Sequence, residues 1–163
     1  MTLPSQLDQL IQQITATAKK FHALGMYAPH AGVIDVQGKF QGDALTSDGI
    51  KQITVPQTLA HFESKFRELA NSRRIVASAV LYHGPGVVVN ESRASFPPAE
   101  TTDDCKAMIT LLEHADGTSV YLVIPYEGEG ADIAYANGKL IEKPRSMFPT
   151  PVGISRPWWR FWE

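Results

Sequence analysis

The spacing of apolar positions predicts two amphipathic helices. In Ser5–Leu24, apolar residues recur every three or four positions, which predicts one buried stripe. Ser5 is the expected N-cap, and Gly25 is the expected left-handed stop. The second helix starts near Pro56, because proline suits the first helical turn, and it ends within Asn71–Arg74. Both helices need a sheet to cover their apolar stripes.

Turn residues between short apolar runs predict several strands. Gln37-Gly38 separates Ala31–Val36 from Lys39–Leu45 and predicts a first hairpin. Ile75–Tyr82 is apolar on both faces, which is typical of a central strand.

The sequence also predicts the local structure of three further segments. His83-Gly84-Pro85-Gly86 is expected to turn the chain, and Gly86–Arg93 then pairs back on the preceding strand. Ala94–Thr102 is expected as an exposed loop. Asn137-Gly138 predicts a short last hairpin between Asp132–Ala136 and Lys139–Glu142.

Asp116-Gly117 gives the strongest hairpin signal, because it separates two long apolar runs. A two-residue turn pairs Ala115 with Thr118. This turn gives the hairpin one apolar, core-facing side. The residues on that side are Ala107, Ile109, Leu111, Glu113, Val120, Leu122, Ile124 and Tyr126. The other side is mixed and carries Lys106, Met108, Thr110, Leu112, His114, Tyr121 and Val123. A three-residue turn with a glycine bulge is the alternative, and a change of register by one residue exchanges the faces.

The order α-β-β-α-β-β-β(-β) predicts an α+β two-layer sandwich, in which two helices cover one face of a mostly antiparallel sheet. We expect a single domain over residues 1–163, with a Pro/Trp-rich C-terminal extension at 143–163. Profilin-like and secretion-chaperone-like domains share this order of elements, but a shared order carries no function.

Composition narrows the class of protein. The net charge of −2 over 163 residues does not favour binding to nucleic acid or to an anionic membrane. The single cysteine excludes an intrachain disulfide, and no apolar run approaches the ~20 residues that span a bilayer. The N-terminal residues lack the pattern of a signal peptide. A cytoplasmic protein is therefore expected.

The sequence predicts no catalytic residue, metal site or cofactor. The five histidines have no metal-ligand spacing, and Cys105 follows two aspartates that disfavour a reactive thiolate. Glu127, Glu129 and Asp132 are expected to form a solvated acidic loop. Phosphate-binding and dinucleotide-binding glycine motifs are absent from the sequence.

The most unusual segment is the aromatic tail, in which Trp158, Trp159, Phe161 and Trp162 bring all three tryptophans together. Aromatic side chains bury large areas and dominate interfaces. Three interpretations stay open. The tail covers the chain's own sheet, it docks on a second copy or another protein, or it lies on a membrane surface.

The segments LLEHADG-TSVYLVIPY, IVASAVLYHG and ADIAYANGKL resemble those of small bacterial cytoplasmic proteins of unknown function. In these proteins a helix and a glycine-turn hairpin precede a second helix, and an L-E-H-x-D-G hairpin ends in P-Y. The resemblance covers about residues 20–140 and implies a fold without catalytic residues. The Pro-rich and Trp-rich tail departs from it.

Two functions are expected. The first is a non-enzymatic binding protein, immunity-protein-like or secretion-chaperone-like, that holds a protein partner or forms a homodimer. The residues predicted to make this contact are Met108, Leu112, Tyr121, Val123, Trp158, Trp159, Phe161 and Trp162. The second is a small-molecule sensor or a small hydrolase-like enzyme with a pocket between sheet and helices, using His30, His83 or the Glu127–Asp132 loop.

Overall fold

The computed structural model describes residues 2–26, 29–44, 55–85 and 106–149. A 3₁₀ turn lies at Gly130–Asp132. The helices and strands are α1 (Ser5–Ala23), β1 (His30–Asp35), β2 (Phe40–Ala44), α2 (Val55–Asn71), β3 (Ile75–Pro85), β4 (Lys106–His114), β5 (Ser119–Glu127), β6 (Ala134–Tyr135) and β7 (Lys139–Glu142). The predicted α+β class, with two helices and an antiparallel sheet, is confirmed.

The sheet has the order β2-β1-β3-β4-β5, all neighbours are antiparallel, and it curls into a half-barrel. Both β6 and β7 pair with the outer edge of β5. The predicted hairpin around Asn137-Gly138 is therefore wrong, since β6 and β7 are two pieces of one edge strand. Gly138 permits the close approach at the interruption, because a Cβ there would lie 2.8 Å from Leu122 Cδ1.

The two helices pack on opposite faces of the sheet, not on the same face as the sequence suggested. The stripe of α1 contacts the even-numbered positions of β4, and that of α2 contacts its odd-numbered positions. The α1-side cluster includes Leu7, Leu10, Ile14, Ala18, Ile34, Ala79, Leu81, Met108, Leu112, Leu122 and Ile124. The α2-side cluster includes Val33, Leu59, Phe62, Phe66, Val80, Ile109, Leu111, Val123, Met147 and Phe148.

The β4–β5 hairpin has the three-residue turn, so the two-residue turn is wrong. His114 N donates to Thr118 O at 2.9 Å, Gly117 N donates to His114 O at 3.1 Å, and Gly117 has φ +109°. Glu113 consequently lies opposite Ser119. A positive φ is readily adopted by glycine, which explains why this position anchors the turn.

This register separates residues that the two-residue turn placed together. Ile109 and Leu111 face α2, whereas Leu122 and Ile124 face α1. All four side chains are buried. The sheet in this region has two covered faces, in place of one apolar and one mixed face.

Both helices end in the same backbone motif. In α1, Gly25 N donates to His22 O and Met26 N donates to Phe21 O, with Gly25 at φ +75°. This confirms the predicted stop. At the other end the expected Ser5 cap is wrong, because Pro4 is the N-cap and no side chain caps the helix. In α2, Arg73 occupies the left-handed position, at φ +55°.

The end of β3 also differs from the expectation. His83, Gly84 and Pro85 do not form a turn, because they continue β3 and lie opposite Met108, Ala107 and Lys106. Gly86–Arg93 and Ala94–Thr102 lie outside the described residues.

The predicted C-terminal extension begins inside the core. Lys143, Met147 and Phe148 are all buried, and the last two belong to the α2-side cluster. Trp158, Trp159, Phe161 and Trp162 lie outside the described residues.

Candidate functional site

Two polar constellations lie at opposite ends of β4. One surrounds Glu113, next to the β4–β5 turn. The other lies beside Lys106, where β4 begins, and includes histidines and tyrosines from α1, β3, β5 and β6.

Glu113 is a fully buried carboxylate that holds residues 143–148 against the sheet. Its oxygens accept hydrogen bonds from Lys143 Nζ at 2.7 Å, Met147 N at 2.7 Å and Phe148 N at 2.8 Å. Ser146 N is a further donor, at 2.5 Å. A carboxylate surrounded by so many donors has little remaining capacity to accept a substrate proton, so we assign Glu113 a structural role.

The pKa of Glu113 is lowered by its partners. Burial alone would raise this pKa, but the charge and hydrogen bond of Lys143, with the amides of Ser146 and Phe148, outweigh burial. The group therefore remains ionised at neutral pH, and the buried pair carries no net charge.

The second constellation is a histidine–tyrosine cluster formed by His22, His83, Tyr126 and Tyr135. His22 Nδ1 lies 2.7 Å from the Tyr135 hydroxyl oxygen, and His83 Nδ1 lies 3.4 Å from that of Tyr126. The rings of His22 and His83 are 4.6 Å apart, and His22 meets Tyr126 edge-on at 4.4 Å. The imidazoles therefore hold both tyrosine rings in fixed positions.

No role was assigned to His22 from the sequence. His22 follows Ala18 by four residues and so continues the buried stripe of α1. It is fully buried. The periodicity was present in the sequence, but a histidine at an apolar position gives no apolar signal.

The histidines of this cluster are neutral at pH 7. Burial, helped by His22 and His30, lowers the pKa of His83 to about 4. Burial and then Lys106 lower the pKa of His22, and burial lowers that of His30. His30 is also buried, and its ring stacks on Phe21 at 5.2 Å. His30 and His83, which the sequence allowed but did not predict to meet, are close enough for His30 to influence the pKa of His83, and His22 is a third histidine beside them.

A groove of about 280 Å³ opens next to this cluster, at the outer edge of the sheet. We call it the edge groove. Its lining residues are Lys106, Pro125, Tyr126, Glu127, Ala134, Tyr135 and Ala136.

The edge groove is lined by both apolar and charged residues. Pro125 and Ala136 are exposed, and they are joined by the hydrogen bond from Ala136 N to Pro125 O at 2.8 Å. Lys106 and Glu127 also line the groove, and Lys106 Nζ lies 3.8 Å from Glu129 Oε1. The groove therefore presents a small apolar surface together with charges of both signs.

The four hairpin residues predicted to contact a partner do not share a face. Met108 and Leu112 are fully buried under α1, whereas Val123 is buried on the α2 side. Tyr121 is partly buried on the α2 side. These positions therefore do not form the exposed surface that the two-residue turn predicted, because each face is already covered by a helix.

Within the described ranges, no group of three or more histidine, cysteine, aspartate and glutamate side chains is arranged to hold a metal ion. No helix in the same ranges is long and apolar enough to cross a membrane. Comparison with protein-family models, with curated proteins and with solved structures finds no match to this chain.

Proposed function

We propose that the protein is a non-enzymatic binding protein that accepts an extended polypeptide segment in the edge groove. The observation that carries this proposal is a groove lining that contains two exposed apolar residues, Pro125 and Ala136, which we call the groove floor, together with the charged residues Lys106 and Glu127. Apolar surface combined with polar and charged residues is usual in a protein-binding site.

Pre-organisation of the groove supports the proposal. Tyr126 and Tyr135 line it, and each lies against an imidazole at the distances given above: that of His83, which is partly buried, and that of His22, which is fully buried. A rigid wall reduces the entropy that binding would otherwise lose in ordering side chains. The histidines in this interpretation are positioning residues, not catalytic ones.

The dimensions favour a polypeptide over a small molecule. The groove is open, and its volume of about 280 Å³ lies just below the ~300–1,000 Å³ typical of small-ligand pockets. In the described part of the sheet, β6 and β7 form the outer edge beside it. Such an edge offers main-chain donors and acceptors to an added strand.

The proposal also covers where the protein acts and what kind of partner it binds. We propose a cytoplasmic protein of bacterial type, as the resemblance of its hairpin segments implies, and the occupant is a protein partner or a second copy of the chain in a homodimer. Immunity proteins and secretion chaperones are the specific forms that we favour, because both work by holding another polypeptide.

A second candidate function is a small-molecule sensor or a small hydrolase-like enzyme. The convergence of His22, His30 and His83 beside the groove favours it. Turnover of simple p-nitrophenyl esters that disappears in His83→Gln, at unchanged stability, would select this candidate over the first.

Selection from a library of random displayed peptides on the full-length protein tests the first candidate. We expect enriched peptides whose binding is weakened by about tenfold or more in Ala136→Arg, which fills the groove floor. Ala60→Arg is the matched control, because Ala60 is an exposed alanine on α2. Failure to enrich any peptide, or equal binding to Ala136→Arg and Ala60→Arg, would overturn the proposal.

A further inference from the structure

We infer that the edge groove responds to pH: in acid, His22 and His83 become charged, the groove wall at Tyr126 and Tyr135 shifts, and a bound peptide is released. Release of a peptide rests on the proposed function, because that function supplies the occupant. The movement of the wall follows from the packing of the histidines, and it is measured without a peptide.

The histidine–tyrosine cluster lies on the α1 face of the sheet, at the end next to the groove. Tyr126 belongs to the α1-side cluster, and Tyr135 packs against it. His83 follows Leu81 of the same cluster by two residues, so it lies on the same face of β3. His22 reaches this face from the buried stripe of α1. Both tyrosines also line the groove, so the cluster and the groove share a wall.

Two contacts tie the imidazoles to that wall. His22 Nδ1 lies 2.7 Å from the Tyr135 hydroxyl oxygen, and His83 Nδ1 lies 3.4 Å from that of Tyr126. The first contact crosses from α1 to β6, which is only two residues long and pairs with β5. So short a strand makes few ladder hydrogen bonds, and the contact with His22 therefore helps to fix its position.

A proton on either imidazole changes these contacts. A neutral imidazole nitrogen can accept the O–H of a tyrosine, whereas a charged imidazole has two N–H donors and no acceptor. The ring centroids of His22 and His83 are 4.6 Å apart, so two charged rings would repel each other in a site that water screens weakly. The observed packing suits neutral rings and opposes charged ones.

The basic groups around the cluster add to this repulsion. After burial, Lys106 on β4 is the next cause that lowers the pKa of His22. After burial, His22 and His30 lower the pKa of His83. On α1, Lys19 Nζ lies 4.4 Å from the centre of the β6 tyrosine ring. A new positive charge on either imidazole therefore arises beside other basic groups.

The carboxylates at this edge of the sheet are poorly placed to offset such a charge. They are Glu127, Glu129 and Asp132, and all three are exposed. Glu129 Oε1 already lies 3.8 Å from Lys106 Nζ. Water and salt screen exposed charges, so these groups stabilise a buried imidazolium little.

Acid should therefore weaken peptide binding. Burial lowers the pKa of His83 to about 4 and that of His22 below its ordinary value of 6.5, so both rings are neutral at pH 7 and take up protons as the pH falls below 6.5. A peptide binds the fraction of molecules whose wall is in place, and its apparent affinity falls with that fraction. Charging about half of the His83 rings weakens binding about twofold, and protonation of His22 adds to this.

An NMR pH titration of the ¹⁵N- and ¹³C-labelled full-length protein, from about pH 7.5 to 4, tests the movement of the wall without a peptide. We expect the amide signals of Tyr135 and Ala136 to shift together with the imidazole signals of His22 and His83. His22→Gln and His83→Gln each remove one titrating ring and should reduce these amide shifts. His61→Gln is the matched control, because His61 is exposed on α2, and it should leave them unchanged.

Two results of this titration would overturn the inference. One is the absence of groove amide shifts over the whole range, or shifts of wild-type size in the folded histidine variants. The other is unfolding of the whole protein before the groove amides shift, which far-UV circular dichroism on the same samples detects. His83 is partly buried, so His83→Gln keeps the test valid if His22→Gln does not fold.

Peptide binding separates this regulation from the proposed function. A library-selected peptide with capped ends and no titrating side chains should bind about twofold or more weakly at pH 4 than at pH 7. The difference should shrink in His83→Gln and persist in His61→Gln. An equal loss in the wild type and in His83→Gln would overturn the regulation and leave the proposed function standing. If no peptide is enriched but the groove amides shift as expected, the proposed function fails and the movement of the wall stands.

Discussion

The interaction between Glu113 and Lys143 gives the sharpest stability prediction. Glu113→Gln removes the negative charge while keeping the size of the side chain. Lys143 then remains with its side chain 2% exposed and loses its partner at 2.7 Å. Its other polar contact is Pro144 O at 3.1 Å. The variant leaves a buried, uncompensated ammonium group.

The expected loss follows from that geometry. Breaking a buried ion pair by removing one partner destabilises a protein by about 3–5 kcal/mol. Lys143→Met should cost less, about 1–3 kcal/mol, because the Glu113 carboxylate keeps the amide donors of Ser146, Met147 and Phe148. The double variant Glu113→Gln/Lys143→Met should lose less stability than the sum of the two single losses, since no buried charge remains.

Urea unfolding followed by far-UV circular dichroism measures these differences at neutral pH. The pKa of Glu113 is lower in the folded protein than in the unfolded chain. The stability that its charged form contributes is therefore fully present at a pH above the unfolded pKa, and it is lost as the pH falls through the folded pKa. The reasoning is refuted if Glu113→Gln loses less than about 1 kcal/mol, or if Lys143→Met is the more damaging change.

Three further predictions concern other parts of the fold. Arg73→Gly should raise the free energy of unfolding by about 0.5–1 kcal/mol in urea titrations, because Arg73 has φ +55° where glycine is unstrained, and a loss would contradict this. Gly138→Ala should lower the free energy of unfolding by about 1 kcal/mol, because its Cβ would meet Leu122 Cδ1 at 2.8 Å and Ile124 Cγ1 at 3.2 Å, and the end of the Leu122 side chain must shift. Gly42→Ala, with a nearest contact of 3.4 Å, should change stability little. Burial lowers the pKa of His83 to about 4, so its contribution is complete above the unfolded value of 6.5 and falls as the pH drops towards 4. The free energy of unfolding should fall by about 2 kcal/mol over this pH range, after allowance for solvent exposure. His83→Gln should flatten the dependence of the thermal midpoint on pH.

Local signals in the sequence predicted most of the elements. The stripe of α1 and its stop at Gly25 were readable from spacing and from the conformational freedom of glycine. The first hairpin was also predicted, with Gly38 at φ +84° in its turn. These features depend on neighbours within a few residues, which a sequence displays directly.

The register of the β4–β5 hairpin was not decided by local signals. Two-residue and three-residue turns at Asp116-Gly117 differ little in local energy, and the apolar runs satisfied both. The correct register follows from having a helix on each face, which makes Met108, Leu112 and Val123 core residues. Apolar runs on both faces of a strand indicate such double coverage, and that signal was present.

The site depended on long-range assembly. His22 and Tyr135 meet across 113 residues of sequence, and Glu113 and Lys143 meet across 30. No spacing rule connects such pairs. The convergence of His30 and His83 was proposed as a possibility, but its position beside the edge groove became visible only from the curl of the sheet.

The most direct test of the central claim is an NMR titration of the ¹⁵N-labelled full-length protein with the tightest library-selected peptide. The account predicts that shifted amides cluster around Lys106, Glu127, Ala134 and Ala136. Shifts centred instead on the exposed face of α2, or no shifts at saturating peptide, would contradict it.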